Sequence, residues 1–107
     1  MTKSGLYPIR YNVTTVNQTQ IFRDWLDALR DETAKAKILV RIQRLADGNP
    51  GKVEAVGNGV SEMKINYGPG YRVYYKQTGK EIVLLLCGGD KSTQDKDIEL
   101  AKELAGT

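Results

Sequence analysis

The stretch "VSEMKINYGPGYRVYY", residues 60–75, predicts a β-hairpin on which the rest of the fold is built. Its centre, Gly68-Pro69-Gly70, has the residues that tight turns favour. Polar and apolar side chains alternate on both sides of this turn, as they do in antiparallel strands. We therefore expect strands at residues 60–67 and 71–77. The apolar and aromatic residues of the hairpin share one face, which we expect to pack against helices: Met63, Ile65, Tyr67, Tyr71, Val73 and Tyr75.

The opposite face of the hairpin is polar and cationic. It carries Glu62, Lys64, Asn66, Arg72, Tyr74 and Lys76. We expect the helices to leave this face uncovered and the twist of the sheet to shape it into a shallow trough. Cations beside an aromatic ring suit a single-stranded nucleic acid, since they offer charge for phosphates and a surface for a base. A solvated face is equally ordinary in an antiparallel sheet, so both interpretations stay open.

The remaining elements follow from hydrophobic spacing and turn residues. The expected order is β-α-α-β-β-β-α, an α+β fold in which a helical hairpin packs on one face of a mostly antiparallel, four-stranded sheet. The segment 81–87 is apolar on both faces and should be a central strand. The other predicted elements are a strand at 7–13, a helix capped by Asn17 or Thr19, a helix starting at Asp31 or Thr33 and stopped by Gly48 and Pro50, a short extended piece at 53–56, and a last helix begun by Ser92 with Asp95.

Each predicted helix has an apolar stripe at helical spacing, and we expect these stripes to face the core. The first stripe comprises Ile21, Phe22, Trp25, Leu26 and Leu29; the second comprises Ile38, Ile42, Leu45 and Ala46; the third comprises Ile98, Ala101 and Ala105.

Composition narrows the function classes. The length of 107 residues fits a single domain, residues 1–107. No apolar run approaches the ~20 residues of a membrane span, and no signal-peptide core is present, so a cytoplasmic protein without a membrane partner is expected. The one cysteine, Cys87, agrees with a reducing compartment. The absence of histidine excludes Ser-His and Cys-His nucleophile pairs and the commonest metal ligand.

Basic residues are unevenly distributed within a net charge of +3. Residues 35–52 hold five cations, for which solvated helix faces are the preferred interpretation and a polyanionic partner the other. The turn "CGGDKS", residues 87–92, is a plausible anion site, because glycines permit close approach and Lys91 stands beside free helical N–H groups. The five cations are Lys35, Lys37, Arg41, Arg44 and Lys52.

Residues 60–75, taken with "VLLLCGGDKSTQDKDIELAKEL" at 83–104, resemble the phage-derived, HigB-like killer proteins of the RelE/ParE toxin superfamily. The resemblance extends over nearly the whole chain. It implies the toxin of a type II toxin–antitoxin module, an mRNA endoribonuclease that depends on the ribosome and inhibits translation. It also implies a cognate antitoxin partner with a HigA-like helix-turn-helix, and no cofactor. The alternatives are a ParE-like inhibitor of DNA gyrase and an inactive RNA-binding member of the fold.

The resemblance places Arg72 on the strand arginine of RelE-like toxins, Lys64 on a basic residue of the preceding strand and Lys91 near the basic residue after the last strand. Metal-free cleavage by the substrate 2′-OH would leave a 2′,3′-cyclic phosphate. We expect Lys64 to act as base, Arg72 as phosphate clamp, and Lys91 as phosphate ligand or proton donor. This requires Lys64 and Arg72 to project together from an uncovered face. The expected RNA-binding residues are Lys52, Asn66, Tyr67, Tyr74 and Lys76.

Two departures from the RelE-like pattern stand out. Glu62 occupies a position where several RelE-like toxins carry a second lysine. The last predicted helix has neither the tyrosine nor the histidine that some relatives use near the C-terminus.

Overall fold

Five strands and three α-helices make up the computed structural model of the chain, which describes residues 14–79 and 82–106. The predicted strand at 7–13 lies outside these residues. Among them, no helix is long and apolar enough to cross a membrane. The elements are β1 (Thr15–Gln18), α1 (Gln20–Ala28), α2 (Glu32–Ala46), β2 (Val53–Gly57), β3 (Val60–Ile65), β4 (Tyr71–Thr78), β5 (Ile82–Gly89), a 3₁₀ turn (Lys91–Thr93) and α3 (Gln94–Ala105).

The strands form one mixed sheet in the order β1-β5-β4-β3-β2. Strands β3 and β4 form the predicted hairpin, in which Lys64 lies opposite Arg72 and Glu62 lies opposite Tyr74. Strand β5 is central as predicted and pairs antiparallel with β4 and parallel with β1. The predicted α+β class is confirmed, but among the described residues the sheet has five strands rather than four. The extended piece predicted at 53–56 pairs with β3 as an edge strand, with a register shift between Ala55 and Gly57, and strand β1 was not predicted.

Side-chain caps fix where the first two helices begin. The Thr19 hydroxyl accepts a hydrogen bond from the Phe22 N–H at 3.0 Å and donates to the Leu86 carbonyl at 2.6 Å, so it ties α1 to β5. The Asp31 carboxylate accepts from the N–H groups of Thr33 and Ala34 and caps α2. The alternatives left open by the sequence, Asn17 and Thr33, are therefore not the caps.

Helices α1 and α2 pack on one face of the sheet, over β5 and β3 respectively. Ile21 is an exception to the predicted stripe, because 43% of it stays exposed. Successive helix residues point about 100° apart, so Phe22 takes the core position and leaves its neighbour outside. The buried core on this face comprises Phe22, Ile38, Leu45, Met63, Ile65, Val73, Tyr75, Val83 and Leu85.

Helix α3 packs on the opposite face of the sheet, mainly over β5 and β4. Ala101 and Ala105 are buried as predicted, and their small side chains let the helix lie close to the strands. The predicted capping pair of Ser92 and Asp95 is wrong, since Asp90 and Thr93 form the capping box of the preceding 3₁₀ turn. A second buried cluster results, made of Val60, Tyr74, Leu86, Cys87, Ala101 and Ala105.

Candidate functional site

Part of the polar face of the hairpin is covered, although the whole face was predicted to be bare. Helix α3 lies over it, and Glu62, Arg72 and Tyr74 are all buried. The predicted open trough is therefore wrong, and Tyr74, which is fully buried, offers no ring surface for a base. The apolar stripe of α3 needs a sheet face to pack against, and α1 and α2 cover the opposite face, so α3 packs on the polar one.

Beneath α3, three polar side chains surround the Glu62 carboxylate. The Tyr74 hydroxyl and the Gln94 side-chain amide each donate to Glu62 Oε2 at 2.9 Å, and Arg72 Nε lies 3.5 Å from the same oxygen. Burial raises the pKa of Tyr74, and the hydrogen bond to Glu62 raises it further. The hydroxyl is thus held as a donor within the protein, not as an acid for a substrate.

Lys64 and Arg72 are neighbours in register, but their charged groups have different surroundings. The Arg72 side chain is 9% exposed, and its Nη1 donates to the Gly70 carbonyl at 2.9 Å. The Lys64 side chain is 50% exposed, and its Nζ lies 3.4 Å from Glu54. The prediction that Lys64 and Arg72 project together from an uncovered face is therefore wrong. The Arg72 guanidinium is buried against Glu62, whereas the Lys64 amine faces solvent.

The exposed part of the site is a cleft of about 540 Å³ at the outer edge of β3, called here the β3-edge cleft. The pairing of β2 with β3 ends at Val53 and Met63, so from Lys64 onward β3 pairs with no described strand on that side, which leaves room for the cleft. Arg41 of α2 holds the rim by donating to the carbonyls of Lys64, at 2.7 Å, and Pro50, at 3.2 Å. The cleft is lined by Arg41, Arg44, Asn49, Pro50, Gly51, Lys52, Val53, Glu54, Glu62, Lys64 and Asn66.

Three of the predicted site residues, Lys52, Lys64 and Asn66, meet in the β3-edge cleft. Sequence reasoning missed Arg41, Arg44 and Glu54. The signal for the two arginines was the run of cations at 35–52, for which solvated helix faces were preferred; the fold instead turns Arg41 and Arg44 toward the cleft.

The other predicted residues lie elsewhere. Lys76 Nζ donates to the Ala105 carbonyl at the end of α3, and the Tyr67 hydroxyl donates to Asp31 Oδ2 at 3.0 Å. Lys91 is exposed beside the hairpin turn, where its N–H meets the Pro69 carbonyl at 3.4 Å.

The turn at 87–92 is not an open anion site. The Asp90 carboxylate accepts from the Ser92 N–H at 2.8 Å and from the Ser92 hydroxyl, and these hydrogen bonds lower the pKa of Asp90. Asp97 accepts from the Thr93 hydroxyl at the same helix start. Protein carboxylates therefore occupy the place that an anion would take.

The chain matches the model of a known protein family. The family described as "Phage derived protein Gp49-like (DUF891)" matches residues 24–105. The chain belongs to this family. A relative from Haemophilus influenzae (strain Rd), described as "Uncharacterized protein", is 52% identical over 90 residues, which cover 84% of this chain and 91% of that protein. No solved structure matches the chain with significant similarity.

The Gp49-like match begins within α1 and ends with α3, so it includes both the β3-edge cleft and the network around Glu62. The Gp49-like family is of the RelE-like toxin type, which implies a toxin–antitoxin context with an antitoxin partner. Within residues 14–79 and 82–106, no cluster of three or more cysteine, aspartate or glutamate side chains could hold a metal ion.

Cys87 of this Gp49-like chain is a buried thiol whose titration should be visible in stability. Burial raises the pKa of Cys87 from 9.0 to about 12, and the nearby Asp97 carboxylate adds to the shift. Between these values the folded state keeps a proton that the unfolded state has lost, so stability should fall from pH 9 upward by up to about 1.4 kcal/mol per pH unit. Urea unfolding at several pH values should show a shallower decline for Cys87→Ala; equal slopes would contradict this.

Proposed function

We propose that the chain is a HigB-like toxin of a type II toxin–antitoxin module that cleaves mRNA on the ribosome without a metal ion, and that it does so in the β3-edge cleft. The observation that carries this proposal is the half-exposed Lys64 in a cleft lined also by Arg41, Arg44 and Lys52.

The charge of the cleft suits a phosphate backbone. Four cations line it against two carboxylates, and one of these, Glu62, already accepts hydrogen bonds from Tyr74 and Gln94. A net positive cleft attracts a polyanion and makes the affinity depend on salt. The side-chain amides of Asn49 and Asn66 add donors and acceptors that can reach a ribose or a base edge.

The ion pair of Glu54 and Lys64 provides acid and base groups in a chain that has no histidine. In the proposed reaction, Glu54 accepts the proton of the ribose 2′-OH and the 2′-oxygen attacks phosphorus. The bond from phosphorus to the 5′-oxygen breaks, and the Lys64 ammonium donates a proton to that oxygen. The products are a 2′,3′-cyclic phosphate and a 5′-hydroxyl. Lys64 therefore acts as the acid here, not as the base expected from the sequence.

Arg72 takes a different role from the predicted clamp. Its guanidinium holds the Gly70 carbonyl and faces Glu62, so it is a positioning residue that fixes the turn following β3. In this proposal Lys91, which is exposed beside the same turn, contacts a phosphate outside the cleft.

Replacing Lys64 with glutamine should slow RNA cleavage by about 100-fold, because general acid catalysis typically contributes at least that much. The measurement is the cleavage rate of an mRNA on purified ribosomes, with the transcript 5′ ends mapped. Lys96→Gln is the matched control, since Lys96 is an exposed lysine on α3 outside the cleft. Circular dichroism should show both variants folded.

A Lys64→Gln protein that cleaves at the wild-type rate would overturn the assignment of the site. If the wild-type protein leaves transcripts intact and instead induces DNA damage, the ParE-like mechanism on gyrase is correct and the nuclease proposal is wrong.

A further inference from the structure

A second groove, of about 510 Å³, runs beside α2 next to the β3-edge cleft, and we call it the α2 groove. The two cavities share Arg41, Arg44 and Asn66. Anything that fills the α2 groove therefore touches residues that the β3-edge cleft needs. Its lining residues are Thr33, Ala36, Lys37, Val40, Arg41, Arg44, Ile65 and Asn66.

Helix α2 carries two separate stripes. The core stripe buries Ala34, Ile38 and Leu45. The groove stripe consists of Thr33, Ala36, Lys37, Val40, Arg41 and Arg44, whose spacings of one and three residues place them along one side of a helix. Val40, at the middle of this second stripe, is 50% exposed although it is a large aliphatic residue. The second stripe thus has the pattern of a packing surface without a packing partner within the described residues.

The charge around the aliphatic centre indicates what kind of partner fits. Among the described residues, Lys37, Arg41 and Arg44 line the α2 groove and no carboxylate does. None of the three forms an ion pair within residues 14–79 and 82–106. Lys37 Nζ lies 5.4 Å from the centre of the Tyr67 ring, which is a cation–π contact, and it has no carboxylate partner among the described residues.

A protein segment suits this surface better than a nucleic acid. Single-stranded RNA gains affinity by stacking bases on aromatic side chains, whereas Ala36 and Val40 at the centre are aliphatic. An amphipathic segment can place apolar side chains on Ala36 and Val40 and acidic side chains opposite the three cations.

We propose that the α2 groove binds an acidic, amphipathic segment of the cognate antitoxin and that this segment inhibits the toxin by covering Arg41, Arg44 and Asn66. The inhibitory half of this proposal rests on the proposed function, since it requires RNA to use the neighbouring cleft. The binding half does not.

Two adjacent substitutions test the proposal. Val40→Asp removes an apolar contact of the groove and adds a charge that repels an acidic partner. Leu39→Asp is a closely matched control, because Leu39 is also 50% exposed on the same helix but does not line the groove. The probe is the purified product of the reading frame adjacent to the gene, titrated calorimetrically against each full-length variant. We expect Val40→Asp to weaken binding by about 30-fold, a hot-spot effect, and Leu39→Asp to change it less than about threefold.

RNA cleavage by each variant, measured without the antitoxin, separates the two proposals. We expect Val40→Asp to cleave RNA like the wild type and to resist neutralisation. Wild-type affinity in Val40→Asp, or an equal loss in both variants, would overturn the assignment of the groove. Unchanged antitoxin binding with weakened RNA binding would make the groove an RNA surface. If even the wild type does not cleave RNA but Val40→Asp alone loses the antitoxin, the groove assignment stands and the nuclease proposal fails.

Discussion

Replacing Glu62 with alanine should lower the free energy of unfolding by about 3–5 kcal/mol. The Glu62 side chain is 1% exposed, and its removal leaves the buried Arg72 guanidinium without its carboxylate. Arg72 Nε is buried and makes no hydrogen bond to a described residue, so the ionic contact with Glu62 at 3.5 Å is what compensates it there. The Tyr74 hydroxyl and the Gln94 amide lose their acceptor at the same time. Urea unfolding monitored by circular dichroism measures the loss.

Two control variants separate the buried charge from the lost volume. Tyr74→Phe removes one hydrogen bond to Glu62 and should cost about 1 kcal/mol. The double variant Glu62→Met/Arg72→Leu removes both charges and should recover most of the stability that Glu62→Ala loses, because apolar residues often replace a buried ion pair at little cost. If the double variant is no more stable than Glu62→Ala, an unpaired charge is not the cause.

The β3–β4 hairpin and the starts of α1 and α2 could be predicted, because each depends on residues that are close together in the sequence. The Gly68-Pro69-Gly70 turn with its alternating strands fixes the β3–β4 register, and the confirmed pairing of Lys64 with Arg72 follows from it. Asp31 and Thr19 are capping residues by type, so the sequence narrowed each helix start to two candidates.

The covering of the polar face could not be read from the hairpin itself. A strand with Glu62, Arg72 and Tyr74 on one face has the same alternation whether that face meets water or a helix. What differs is that Tyr74 and Gln94 donate hydrogen bonds to Glu62 and that Arg72 forms an ion pair with it, with Gln94 supplied from a segment 32 positions away. The apolar stripe of Ala101 and Ala105 was a signal that a second sheet face would be needed, because α1 and α2 occupy the first.

The β3-edge cleft was also beyond local reasoning. Its cations come from α2, from the loop before β2 and from β3, and the point where β2 stops pairing decides that they meet. Lys52, Lys64 and Asn66 were predicted as site residues on separate grounds. That they line one cavity is a consequence of tertiary structure, and Arg41 is the residue that joins its walls.

Substituting alanine for Gly88 should destabilise the fold by about 3 kcal/mol, at the upper end of the range for overpacking. A β-carbon at Gly88 would lie 2.3 Å from Cε3 and 2.4 Å from Cζ3 of Trp25. The indole cannot easily retreat, since it packs against Phe22 at 5.7 Å and Tyr71 at 6.3 Å between ring centres. Glycine-to-alanine changes otherwise tend to stabilise through the unfolded chain, so a loss isolates the clash. In Trp25→Leu, which makes room, Gly88→Ala should cost much less, and urea unfolding of the four proteins measures this coupling. Additive losses would show that the indole does not lie over Gly88.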